Sequence, residues 1–220
     1  MARKTGKTND TEGMAVLIVV VGVLLFIPFL VVSYVSFSKL KEEYLEDGTA
    51  QRVMDIRRLL PTLIAGGAVC AIGAIIVACS MGDMNQNGFS FLSALVATFA
   101  ALLAVVAGYY LARHLAVMYL GVVADKSKDT LIFPFDMQSY TIADYLGLRF
   151  LYDFCRVDSV PLGSIEKMTR GRRGKDLYIH GAFGSRGITM SNKQKRDECL
   201  AMIQSLTGKR GLLVGEVEAF

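Results

Sequence analysis

The chain has 220 residues, of which 53% are hydrophobic, with 24 Lys and Arg against 20 Asp and Glu and a net charge of +4. So apolar a composition, broken by only a mild and interleaved charge, excludes a disordered polyelectrolyte and disfavours a nucleic-acid-binding surface. Four cysteines and two histidines are too few and too scattered for a disulfide framework or a histidine-based metal centre.

Residues 1–12 read as a disordered tail. Gly6-Lys7-Thr8 imitates the end of a phosphate-binding loop, but no upstream glycine or preceding strand completes the cradle. Asn9-Asp10-Thr11 fits the glycosylation triplet, a frequent pattern that nothing else in the chain supports.

Residues 13–38, 59–82 and 84–112 carry no formal charge over 26, 24 and 29 positions. Each run exceeds the roughly 20 apolar residues that a helix needs to cross a hydrocarbon core about 30 Å thick. They predict membrane spans at about 14–37, 59–80 and 91–112. The first follows Arg3, Lys4 and Lys7, as a secretory signal would. It is too long for a signal core of about 7–15 residues and lacks a small-residue cleavage site, so it reads as a retained helix. Pro28 near its middle predicts a kink.

The second and third spans carry small residues at helical spacing. Gly67, Ala71, Ala74 and Ala78 form one row, and Ala97, Ala101, Ala104, Gly108 and Ala112 form another. Such rows let backbones approach closely in lipid, and they predict a tight hairpin of these two helices through a polar loop at 81–90. The same rows also leave self-association into a homo-oligomer open.

Lys39, Lys41, Arg52, Arg57 and Arg58 occupy the first connection between spans, whereas the second has no Lys or Arg. The positive-inside rule then sets the N-terminus outside and everything after the third span in the cytoplasm. Arg113, beside Tyr109 and Tyr110, reads as an interfacial anchor, with 113–124 a helical stem leaving the bilayer.

Residues 125–220 suit one small cytoplasmic α+β domain. Leu131–Phe135 reads as a strand. Ile142, Leu146, Phe150 and Phe154, four apart, predict an amphipathic helix over 140–154 that Gly147 weakens, a strand pair being the alternative. Ser164–Arg170, Asp176–His180 and Gly187–Met190 read as successive strands joined by glycine-containing turns. Ser191 with Gln194 fits a capping box, and Cys199, Leu200, Met202, Ile203 and Leu206 form the apolar face of a helix stopped by Gly208-Lys209-Arg210.

Five cations, Lys167, Arg170, Arg172, Arg173 and Lys175, cluster in nine residues around one predicted hairpin tip, with Phe183 and Arg186 in the next loop. These seven are the candidate partner-binding residues. They suit anionic headgroups or an acidic protein partner, while the plainer reading is a solvated turn that keeps a sheet edge from pairing. Lys193, Lys195 and Arg196 oppose the dipole of the last helix, which hints at a contact that compensates them. No pairing of nucleophile, base and acid can be assigned, and no cofactor or metal is implied.

Strands followed by one covering helix, over Ile165–Ile203, resemble the bacterial PH-like domain. The likeness is carried by the basic hairpin, the Leu177–Ile179 strand, Arg186-Gly187-Ile188-Thr189-Met190 and the helix opening at Ser191-Asn192-Lys193-Gln194. The three-span layout with a basic C-terminal module also looks like the entry-exclusion proteins of IncI-type conjugative plasmids. That resemblance implies a non-enzymatic protein of the bacterial cell inner membrane that recognises a component of an incoming conjugation apparatus. A PH-like module binding an anionic lipid or a membrane protein is the alternative, and a small transporter or enzyme subunit a more remote one.

Overall fold

The computed structural model describes residues 6–45, 48–136, 141–147, 149, 153–172, 174–207 and 214–216. The expectations for Arg3, Lys4, Phe150, Arg173 and the helix stop Gly208-Lys209-Arg210 fall outside these residues. The chain divides into two compact units, Met1–Ser33 with Thr62–Ala112, and Tyr34–Pro61 with Arg113–Phe220.

Three helices, α1 (Gly6–Leu45), α2 (Leu59–Asn87) and α3 (Phe91–Leu120), contain the three predicted spans and are long and apolar enough to cross a membrane. Helix α1 begins at Gly6, so residues 6–12 are helical where a disordered tail is expected, and it runs on through Pro28. Helix α2 continues past the second span to Asn87, leaving a connection of three residues. Gly88, at φ +83°, follows as the left-handed residue that commonly terminates a helix.

In the first unit the small residues work at close range. A Cβ on Gly73 would lie 2.7 Å from the Ala104 Cβ, and one on Gly66 would lie 2.5 Å from the Phe29 ring. Of the α3 row, Ala104, Gly108 and Ala112 are buried and Ala97 and Ala101 half-buried, with open space beside Gly108. On α2 the packed row is Gly66, Cys70, Gly73, Ala74 and Ala78, which keeps Ala74 and Ala78 of the predicted row and replaces Gly67 and Ala71. Ala71 is exposed and Gly67 has open space beside it. Phe29 is the reason: a ring on α1 needs the missing side chain at position 66.

The second unit holds two sheets around one core. The first runs β1 (Gln51–Val53), β2 (Val122–Asp125), β3 (Thr130–Pro134) and β4 (Val157–Pro161), all antiparallel. The second has the order β7 (Gly184–Thr189), β6 (Asp176–Gly181), β5 (Ile165–Arg170), β8 (Val214–Glu216), with β8 parallel to β5. Alternation along β3, β5 and β6 turns Leu131, Phe133, Met168, Leu177 and Ile179 inward. Helix α5 (Lys193–Thr207) adds Cys199, Leu200, Met202 and Ile203 to the same cluster. A short helix, α4 (Ile142–Leu146), stands between β3 and β4; Gly147 donates its N–H to the Ala143 carbonyl at 2.9 Å where a longer helix is predicted.

This module does not begin at residue 125. Its first strand comes from the connection between α1 and α2, so Val53 pairs with Val122 across an intervening helical hairpin. The predicted stem at 113–124 is helical only to Leu120; Gly121 turns the chain and Val122 starts β2. Arg52 secures the joint: its Nε donates to the Leu120 carbonyl at 2.8 Å and its Nη2 to the Tyr119 carbonyl, at the end where a helix attracts cations. The guanidinium also lies 5.2 Å from the Tyr119 ring centroid and 5.6 Å from that of Phe37.

The predicted capping box is replaced. Asn192 caps α5, its Oδ1 accepting the Lys195 N–H at 2.8 Å, while Ser191 is engaged elsewhere. Asn192→Ala is therefore expected to lower the melting temperature by the equivalent of about 1 kcal/mol, and Gln194→Ala to leave it unchanged. Equal effects in thermal unfolding would restore the Ser191–Gln194 box.

Candidate interaction surface

The β5–β6 turn is stapled to α5. Arg196 is buried, donating Nη1–H to the Gly174 carbonyl at 2.8 Å and Nε–H and Nη2–H to Asp197 Oδ1 at 2.9 and 2.7 Å. Arg170 Nη2 reaches the same carboxylate at 3.4 Å. Of the three cations set against the helix dipole, Arg196 thus holds the turn, while Lys195 pairs with Glu198 at 2.7 Å within the helix.

This divides the seven predicted contact residues. Lys167, Arg172 and Lys175 are exposed, and none has a carboxylate partner among the described residues. Arg170 is committed to Asp197, and Arg186, though exposed, pairs with Asp158 at 3.1 Å. Phe183 is no exposed anchor; it is half-buried and packs against the core. The turn that carries it is only Ala182-Phe183, closed by the Gly181–Gly184 pair, so the ring folds back over Gly181. Arg173 lies outside the described residues.

A second cluster was not legible in the sequence. Asp55, buried ahead of α2, accepts the Ser191 N–H at 2.5 Å and its hydroxyl at 2.7 Å. Arg58 donates to the Thr189 carbonyl, and Thr189 Oγ1 donates to Asp176 Oδ1 at 3.0 Å. Asp55, Asp136 and Asp176 all act electrostatically on Arg58. The Asp136 carboxylate covers Gly187, where any side chain would strike it. Asp55 bonded to Ser191, Asp176 bonded to Thr189, and Arg58 bonded to the Thr189 carbonyl make a polar lock. It joins the connection before α2 to β7 and the start of α5.

Other titratable groups are structural as well. Asp125, buried at the β2–β3 turn, is held below the usual carboxylate range, first by the Ser127 hydroxyl at 2.7 Å and further by backbone N–H groups. Thr169 Oγ1 lies 2.8 Å from His180 Nε2, and burial lowers that imidazole, with Lys167 adding repulsion. Burial raises the Cys199 thiol to about 12, as for a small apolar side chain, and Cys155 is raised for the same reason. Among the described residues no three metal-ligating side chains converge. The surface presents exposed cations on a hairpin tied to α5.

Comparison with known proteins finds no family model, no curated protein and no solved structure that matches this chain.

Proposed function

We propose that this chain is a non-enzymatic recognition protein of the bacterial inner membrane. In this reading it serves plasmid entry exclusion by recognising a component of an incoming conjugation apparatus. The three apolar helices anchor it, and the distribution of Lys and Arg favours an outside N-terminus and a cytoplasmic module. Two four-stranded sheets on one core with a covering helix support the PH-like likeness of the module. A helical hairpin inserted between β1 and β2 supports a module built as part of its own anchor.

One observation carries the reading: Lys167, Arg172 and Lys175 stand exposed on a hairpin that Arg196 and Asp197 tie to α5. A pre-ordered cationic surface loses little entropy on meeting an acidic partner, and its charges speed and orient the encounter. The same exposed cations favour a second reading, docking on anionic headgroups, at about 1 kcal/mol per residue near such a surface.

The double charge reversal Arg172→Glu with Lys175→Glu tests this. At about 1.4 kcal/mol lost per contact, partner affinity falls roughly a hundredfold. Recipient cells carrying the variant should accept conjugative transfer as freely as cells without the protein, at unchanged membrane levels. Retained exclusion would reject this surface. Retained exclusion together with loss of binding to phosphatidylglycerol vesicles would favour the lipid reading.

A further inference from the structure

Helix α4 is locally well made yet leaves its apolar side uncovered. Thr141 donates its N–H and hydroxyl to Asp144 Oδ2 at 2.9 and 2.7 Å, which caps the start, and Gly147 closes the end. Arg149 braces the polar side, 3.5 Å from Asp144 and 3.6 Å from Asp153. On the other side Ile142 and Leu146, one turn apart, are each 80% exposed. A soluble surface tolerates one such residue; a capped helix showing both at one face asks for a cover.

The same segment is tied to the end of α3. The Phe154 ring stacks on His114 with centroids 3.7 Å apart, and the Phe154 carbonyl lies 2.6 Å from His114 Nδ1. His114 directly follows Arg113, the first charge after the 29-residue apolar run, beside Tyr109 and Tyr110. Aromatic rings next to an arginine at the end of such a run mark the headgroup level. Polar groups on one side, two large aliphatic groups on the other, and a tether at that level match an element lying in the plane of the interface.

We propose that α4 docks on the lipid bilayer, with Ile142 and Leu146 inserted at the headgroup–acyl boundary. The inference rests on the membrane placement proposed above. The chain has no tryptophan, so a single introduced indole reports on its own surroundings. The full chain, as Ile142→Trp, Leu146→Trp, Leu103→Trp or Ala201→Trp, is reconstituted in phosphatidylethanolamine–phosphatidylglycerol vesicles with lipids brominated near the headgroup or deep in the chains. Leu103 is an exposed position within α3, and Ala201 an exposed one on α5.

At 142 and 146 the emission should be blue-shifted relative to position 201 and quenched most by the shallow bromine, while 103 is quenched most by the deep bromine. Quenching at 103 with none at 142 and 146 overturns the proposal and leaves the anchoring intact. A blue shift at 142 or 146 without quenching places protein rather than lipid over α4 and also overturns it. No quenching at 103 removes the membrane placement and this inference with it.

Discussion

Gly121→Ala is expected to destabilise the sheet module by about 3 kcal/mol or more, from two effects that add. Gly121 sits at φ +70°, where an L side chain costs about 1 kcal/mol. Its new Cβ would also lie 2.5 Å from the Val53 carbonyl oxygen and 3.3 Å from the Met54 Cα. These are backbone atoms, so relief requires moving β1 off β2 and giving up the Val53–Val122 pairing. Gly48→Ala is the control, since φ is +66° there with open space around it, and it should lose only about 1 kcal/mol. Thermal unfolding of the detergent-solubilised chain separates the two. If Gly121→Ala were no worse than Gly48→Ala, the close approach of β1 to the α3–β2 joint would be wrong.

Asp55→Ala should cost nearly as much, about 3 kcal/mol. It strips two hydrogen bonds from Ser191 and removes one of the carboxylates that favour the Arg58 charge. Ser191→Ala, which loses only the hydroxyl bond, should cost about 1 kcal/mol. Because Asp55 and Ser191 share those bonds, the double variant should fall short of the sum of the singles by about 1 kcal/mol. Strict additivity, within roughly 0.5 kcal/mol, would mean that the two residues do not meet in the folded protein.

Several elements were legible because their signal is local. A charge-free run of sufficient length predicts a long apolar helix whatever surrounds it, and α1, α2 and α3 contain the three predicted spans. Strands β5 and β6 and helix α5 follow from the period of Met168, Leu177, Ile179, Cys199 and Ile203. Strand β3 lies one residue from its expected place.

Strand β1 left no such trace. Gln51-Arg52-Val53 is too short for an alternation to emerge, and its partner is 69 positions away in the pair Val53–Val122. Strand β2 was masked by its own apolarity, since a fully buried Val-Val-Ala run after a helix reads equally as more helix. The candidate surface was legible as a cluster of cations but not in its division. Arg170 and Arg186 carry the same formal charge as Lys167 and Arg172, and only a carboxylate brought near by folding separates them.

By itself, then, the order of residues determined three helices of membrane-spanning length, the final helix and the strand-rich character of the C-terminal half. Hydrophobic length and period along one segment suffice for these. Only the tertiary structure decided that residues 51–53 complete the first sheet, that Phe183 turns inward, that Asn192 rather than Ser191 caps the last helix, and that Ile142 and Leu146 remain uncovered. Each of these depends on which distant group competes best for a buried position or a hydrogen bond, and that competition is resolved when the elements pack.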